Sequence, residues 1–272
     1  MQKFNFFRIT ILTISTLLLF SYTLEKMGAK REIDILFIGN GMTSYNNMPQ
    51  ILQKMLSGEK QIYNVTQSTY FNISLENHFS KLASQEGEGV RVYPLKQGEK
   101  SSTEELLLSK TWEYVVLQDY TLPSFTSENG VIQVIPIIQE IQKRHRTNVI
   151  EFVLFRVWPN LKPFPKTFSY IKAVKSLDEE TDLINSTYDS VASATHLTNV
   201  PIANCFMNIM KYHKNINLYD GPYYPSIYGA YLNACVFYKH FTKRNASQIE
   251  YMADLDSTTV RTIQEVVDKI YP

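Results

Sequence analysis

The residues able to do chemistry gather in three short stretches, each placed where an apolar run stops. Gly39-Asn40-Gly41-Met42-Thr43-Ser44 follows DILFI, Ser68 to Ser74 follows IYNVTQ, and Gln118-Asp119-Tyr120 follows YVVL. The first stretch partly matches the fingerprint G-x-G-x-x-G, whose glycines let a pyrophosphate approach a helix N-terminus. Ser44 stands where the third glycine belongs, and the second run ends in Thr66-Gln67-Ser68 without the acid that would hold a ribose. No nicotinamide or flavin cofactor is expected. Gly41 taken alone implies a tight turn or a positive φ.

Other side chains offer further chemistry, each with a plainer reading beside it. Ser44 is a candidate nucleophile only if a base reaches it, and His78, near Glu76, is the candidate base. His78 equally suits a capping or core-edge position. His145, His196, His213 and His240 sit among polar, helix-end or loop residues and are expected at the surface. Asp119 either binds a sugar hydroxyl or caps the turn that follows it. No Cys/His cluster has metal-ligand spacing, so no metal is expected. Cys205 and Cys235, in IANCFMN and LNACVFY, exclude a disulfide scaffold and admit either buried thiols or a single bridge.

These stretches need a scaffold, and the alternation of the chain describes one. Apolar, β-prone runs at Ile33–Ile38, Ile62–Gln67, Tyr114–Gln118 and Val149–Phe155, with a weaker one at Val90–Leu95, read as strands covered on both faces. Between and after them, helical spacing predicts helices over Pro49–Leu56, Leu75–Ala83, Thr103–Ser109, Val131–His145, part of Thr167–His196, Ser226–Phe241 and Ser257–Ile270. Pro136 predicts a kink or a late start in the fourth of these. A β-α-β-α order of this kind gives a parallel, doubly wound sheet, with ligands expected at the carboxyl ends of the strands, in the loops Gly39–Tyr45, Ser68–Ser74 and Gln118–Phe125.

Composition bounds the partners. The 272 residues carry 27 Lys plus Arg against 26 Asp plus Glu, so no global field points to nucleic acid. Lys3 and Arg8 precede the apolar run Ile9–Leu24, the pattern of an export signal or an uncleaved anchor. Residues 1–30 are therefore expected to be a signal peptide or membrane anchor and 31–272 a single exported domain, meeting the membrane only through its N-terminal segment.

Four segments carry a resemblance. They are Gly39-Asn40-Gly41-Met42-Thr43-Ser44-Tyr45-Asn46-Asn47-Met48-Pro49; VTQSTYFNISLENH, Val65 to His78; WEYVVLQDYTLPS, Trp112 to Ser124; and INLYDGPYYPSIYGAYLNACVFY, Ile216 to Tyr238. In wording and order they resemble the SGNH hydrolase superfamily of GDSL-like lipases and esterases, in particular its bacterial exported members. The resemblance implies a three-layer α/β/α sandwich with a parallel, flavodoxin-like sheet of about five strands.

The same resemblance implies that the chemistry is gone. Gly41 falls on the family's nucleophilic serine, Tyr224, before Pro225-Ser226, on its histidine, and Gly221 on its aspartate, with Asp220 one position away. A glycine has no oxygen to acylate, and a phenol that titrates near 10 is a poor base at neutral pH. The oxyanion-stabilising glycine falls on Asn72 and the family's amide side chain near Gln118. Asn40, Gly41, Asn72, Gln118, Asp119 and Asp220 are thus the expected remnant of a binding or oxyanion site. Tyr70, Phe71, Tyr120, Trp158, Tyr223 and Tyr224 are expected around the cleft. The expectation is an inactive, exported member retaining a cleft for a carbohydrate or an acylated small ligand. Its alternatives are an active esterase or deacetylase with relocated residues, and a non-enzymatic interaction protein.

Overall fold

The structure is a computed structural model that describes residues 30–71, 73–79, 91–93, 102–120, 132–162 and 174–272. Strand β1, Glu32–Gly39, is buried on both faces from Ile35 onward, the condition of a central parallel strand. It runs into a single helical turn, α1 (Gly41–Ser44), then a 3₁₀ turn, Tyr45–Asn47, then α2 (Met48–Leu56). Pro49 lies in the first turn of α2, where a missing N–H costs nothing. The chain continues through β2 (Ile62–Thr69), α3 (Leu75–Phe79), β3 (Arg91–Tyr93), α4 (Thr103–Leu108), β4 (Trp112–Leu117), α5 (Val134–His145) and β5 (Val149–Leu154). It ends with α6 (Leu177–Thr195), β6 (Thr198–Asn199), α7 (Ile202–Tyr212), a hairpin of β7 (Tyr219–Asp220) and β8 (Tyr224–Pro225), α8 (Ile227–Thr242) and α9 (Ser257–Ile270).

The sheet has the order β3-β2-β1-β4-β5-β6. β2, β1, β4, β5 and β6 are parallel, and β3 adds an antiparallel edge. Helices flank this five-stranded parallel core, giving the expected α/β/α sandwich. Strand order reverses at β1, with β2 on one side and β4 on the other, so a crevice opens beyond their carboxyl ends. Asn40 and Gln118 stand there.

The elements depart from the sequence reading at several places. Helix α5 begins at Val134 rather than Val131; Pro136 then sits in the first turn, and no kink is needed. Helix α7 was not expected. Its apolar face, Ile202, Cys205, Phe206 and Ile209, keeps helical spacing, yet Pro201 before it and the short loops around it read as irregular chain. The β7–β8 hairpin is too short to show a period of two. The predicted loop end at 121–125, Asn72 and the end of the predicted helix past Phe79 lie outside the described residues.

Helix α8 is the buried helix that its composition predicts, with every residue from Gly229 to Phe241 inside. A Cβ on Gly229 would stand 2.4 Å from the Leu218 carbonyl oxygen, so the helix packs on the hairpin through a residue with no side chain. Cys205 and Cys235 are both buried and free; there is no bridge between them.

Candidate functional site

The turn after β1 is built around Gln118. Its side-chain oxygen accepts from the Asn40 N–H at 2.8 Å and from the Thr43 hydroxyl at 2.9 Å, and its nitrogen donates to the Asp119 carbonyl. A Cβ on Gly39 would lie 2.5 Å from both Gln118 Oε1 and Thr43 Oγ1, so glycine is what lets β1 and β4 come this close. Asn40 is equally committed: Oδ1 caps α1 by accepting from the Met42 N–H, and Nδ2 donates to the Ile73 carbonyl. Gln118 and Asn40, two of the expected oxyanion donors, therefore brace the turn from inside. The Gly41 N–H, a third, donates to the Phe71 carbonyl at 3.2 Å.

Aromatic rings close the space above Gly41. A Cβ there would meet the Phe71 carbonyl oxygen at 3.1 Å, Phe71 Cδ2 at 3.2 Å and Tyr224 Cε1 at 3.2 Å. Asn46 and Asn47 both take the left-handed conformation, with φ of 50° and 55°, which asparagine tolerates. This reversal brings the Tyr45 ring onto Tyr224, stacked with centroids 4.8 Å apart and planes 16° apart. Phe71 tilts against the same Tyr224 ring at 5.4 Å. The Tyr45 hydroxyl donates to Asp220 Oδ2 at 3.0 Å, which pushes its pKa up. Tyr45 is the site residue that the sequence reading missed; the Asn46-Asn47 pair, able to turn the chain back, was the available signal.

The hairpin decides where Asp220 and Gly221 lie. Asp220 is the direct cross-strand partner of Tyr224, so the carboxylate one position off in sequence is the one brought beside residue 224. Gly221 occupies the exposed turn with φ 81°, and a Cβ there would have nothing within 4 Å, so conformation rather than space is what asks for glycine. Trp158 does not line the cleft as expected. It is buried, stacked on Phe206 at 4.8 Å, and its Nε1 donates to the Tyr223 carbonyl, so it supports the hairpin from below. Phe71 and Tyr223 stay on the rim, 61% and 50% exposed. Tyr70 and Tyr120 are half-buried, and burial with the neighbouring Asp119 charge pushes the Tyr120 phenol up to about 12.

Asp119 and His78 are interior groups. Asp119 is buried, accepts from the N–H groups of Tyr120 and Leu75, and is pushed up to about 6, chiefly by burial. It caps chain turns, the plainer of its two readings. His78 is buried between the Gly39 carbonyl (2.9 Å from Nε2) and the Thr103 hydroxyl (2.9 Å from Nδ1), and desolvation lowers its pKa to about 4. The carbonyl only accepts, so the neutral ring carries its proton on Nε2. Both nitrogens are thus engaged in fixing α3 and α4 to β1. His145 and His240 correct the surface expectation. His145 follows Ile138 and Ile141 on the inward face of α5, with Nε2 3.3 Å from Glu104, and His240 lies in the buried stretch of α8, bonded to the Tyr271 hydroxyl. His196 is exposed and His213 half-buried. No group of three His, Cys, Asp or Glu suited to a metal ion occurs among the described residues.

Neither a family model nor a curated protein matches the sequence. Solved structures do. A DUF4886 family protein from Bacteroides uniformis superposes with a TM-score of 0.69 over 88% of this chain and 94% of its own, at 17% identity. An acetyl xylan esterase from Geobacillus stearothermophilus gives 0.52 over 82% and 98% at 12% identity, and LAE5, an alpha/beta hydrolase from the metagenome of Lake Arreo, gives 0.52 over 77% and 94% at 11%. The chain has an SGNH-like α/β/α fold.

Gly41 stands in the turn after β1, in the crevice where the strand order reverses. A cavity of about 470 Å³ lies elsewhere, lined by Lys54, Glu59, Tyr238, Arg244 and Tyr251 beside the start of β2. It is at the opposite end of the sheet from Gly41, so its residues belong to a different part of the surface from the SGNH-type crevice.

Proposed function

We propose that the protein is a catalytically inactive SGNH-type hydrolase, exported or held at a membrane by residues 1–30, whose crevice rim binds a ligand without cleaving it. One observation carries the reading: at the position of the nucleophile there is no side chain, and the rings and carbonyl that surround Gly41 occupy the space in which a serine oxygen and a histidine would work. Acyl transfer needs a nucleophile, a base and a donor for the developing oxyanion. Gly41 supplies no nucleophile, Tyr224 is a phenol whose pKa burial raises further, and the Gly41 N–H is spent on Phe71.

The ligand class follows from what the rim presents. Phe71 and Tyr223 are exposed aromatics on the rim and the Asp220 carboxylate stands on the same hairpin, across from Tyr224, a combination that suits a sugar ring, whose C–H faces stack on aromatics while its hydroxyls donate to the carboxylate. An acetyl xylan esterase among the structural neighbours acts on a substrate of that class, which agrees with this choice.

A serine-reactive fluorophosphonate probe, followed by intact mass, tests the reading. The natural chain is expected to show no adduct. The variant Gly41→Ser with Tyr224→His, in which Asp220 stands across the hairpin from the new histidine, is expected to gain one. An adduct on the natural chain that disappears in Ser44→Ala would establish a relocated nucleophile and contradict the reading.

A further inference from the structure

The charge of this chain is separated along the strand direction, although its total is only +1. The parallel strands start level, Glu32 with Ile62 and Trp112 with Val149, so Lys30, Arg31, Lys60, Lys110 and Arg146 precede them at one end of the sheet. Helices α2, α5 and α8 end there too, adding Lys54, Lys143, Arg144 and Lys243. Ion pairs absorb part of this charge: Arg31 with Glu113, Lys110 with Asp34, Arg144 with Glu140, and Arg244 with Glu59. Lys30, Lys60, Lys143, Arg146 and Lys243 are exposed and have no carboxylate within 4.0 Å among the described residues; Glu32, Glu250 and Glu151, whose charge Lys243 feels, offset some of theirs. The first turn of α6 carries Asp178, Glu179 and Glu180, and Asp256 caps α9. Helix dipoles favour this arrangement, yet Lys30, Lys60 and Arg146 lie on connecting chain that no dipole requires to be basic.

Along the sequence, the apolar run Ile9–Leu24 precedes Lys30, which lies at this end. Five residues, Glu25–Ala29, separate it from Lys30, a reach of roughly 18 Å when fully extended. We propose that the end of the sheet where the strands begin is a docking face for an anionic bilayer surface, so that the Gly41 crevice points away from the membrane. This rests on the reading of residues 1–30 as a membrane segment only for the tether; the basic face makes its own prediction, because cations near an anionic leaflet are attracted within a Debye length.

The full chain is mixed with vesicles of phosphatidylcholine alone or of equal parts phosphatidylcholine and phosphatidylglycerol, each bearing a headgroup quencher. A dye is attached through Ile62→Cys, at the basic end, or Tyr223→Cys, on the crevice rim; buried Cys205 and Cys235 do not take it. Quenching at position 62 is expected to be stronger on the mixed vesicles than on phosphatidylcholine and to exceed that at position 223 on the mixed vesicles. High salt, and the variant Lys60→Gln, Lys143→Gln, Arg146→Gln, Lys243→Gln, are expected to reduce it to the level that the tether alone gives on phosphatidylcholine. Quenching that is equal at the two positions, or indifferent to composition, salt and neutralisation, overturns the proposal. Flotation with phosphatidylcholine vesicles in high salt reports the anchor separately: a chain that fails there yet is recruited by phosphatidylglycerol with position 62 quenched contradicts the anchor and supports the face. Recruitment by an acidic polysaccharide with no response to phosphatidylglycerol overturns the proposal in favour of another partner.

Discussion

Gly41, Phe71 and Tyr224 form a packed contact, so substitutions there are coupled. In Gly41→Ser the new Cβ enters contacts of 3.1–3.2 Å with a backbone oxygen and two rings. Overpacking of this kind costs about 1–3 kcal/mol, read as a lower urea midpoint with unchanged slope. Combining it with Tyr224→Ala, which vacates the space, is expected to cost less than the sum of the two single changes by about 0.5–3 kcal/mol, the coupling of residues in contact. Additive costs would mean that Tyr224 does not fill the nucleophile's place. Gln118→Ala removes the acceptor for the Asn40 N–H and the Thr43 hydroxyl and is expected to cost about 1–3 kcal/mol, the penalty for unpaired buried donors. A side chain serving mainly as an oxyanion donor would instead be removed with little loss of stability.

Two buried groups give the elements around the crevice opposite responses to pH. Asp119, raised from 3.8 to about 6, holds its proton in the fold where the unfolded chain has lost it, so its contribution is full below pH 3.8 and is lost as pH rises to about 6. His78, lowered from 6.5 to about 4, stays neutral in the fold where the unfolded chain takes up a proton, so its contribution is full above pH 6.5 and is lost as pH falls to about 4. The two slopes offset between pH 4 and 6. Asp119→Asn is expected to leave a stability that rises with pH across this window relative to the natural chain, and His78→Gln one that falls, both measured by denaturation at a series of pH values. At the hairpin, Gly229→Ala drives a Cβ to 2.4 Å from the Leu218 carbonyl and is expected to lower the melting temperature by several degrees, since overpacking costs about 1–3 kcal/mol. The strands that carry the crevice were legible because DILFI, YVVL and IEFVLF are short apolar, β-prone runs, although Ile150 in the last of them is exposed. Helix α7 was not, because Pro201 and the short loops around it masked its periodic face, nor were the two-residue strands β6, β7 and β8, because a period needs more residues than they have. The burial of His145 and His240 was hidden for another reason: it depends on which face of a helix the rest of the fold covers.

For the whole molecule, the order of blocks along the chain was enough to place Gly41, Gln118 and Tyr224 in one crevice, and the structure brings them together. What residue types alone did not show is that they are spent. The amide of Gln118 and the N–H of Gly41 are both donated to backbone carbonyls, a choice of partner that depends on distances of tenths of an ångström rather than on residue type. The scaffold, on this reading, keeps the crevice and has lost the reaction. The direct test is turnover of a short-chain aryl acetate by the natural chain, beside Gly41→Ser with Tyr224→His. In a serine hydrolase, loss of the triad leaves roughly 10³–10⁴-fold catalysis over water and removes about 10⁶ of turnover. The natural chain is predicted to stay at or below that residual level and the paired variant to exceed it. Turnover by the natural chain at the rate of an ordinary esterase, unchanged on heating to just below the unfolding transition and abolished above it, would contradict a lost reaction.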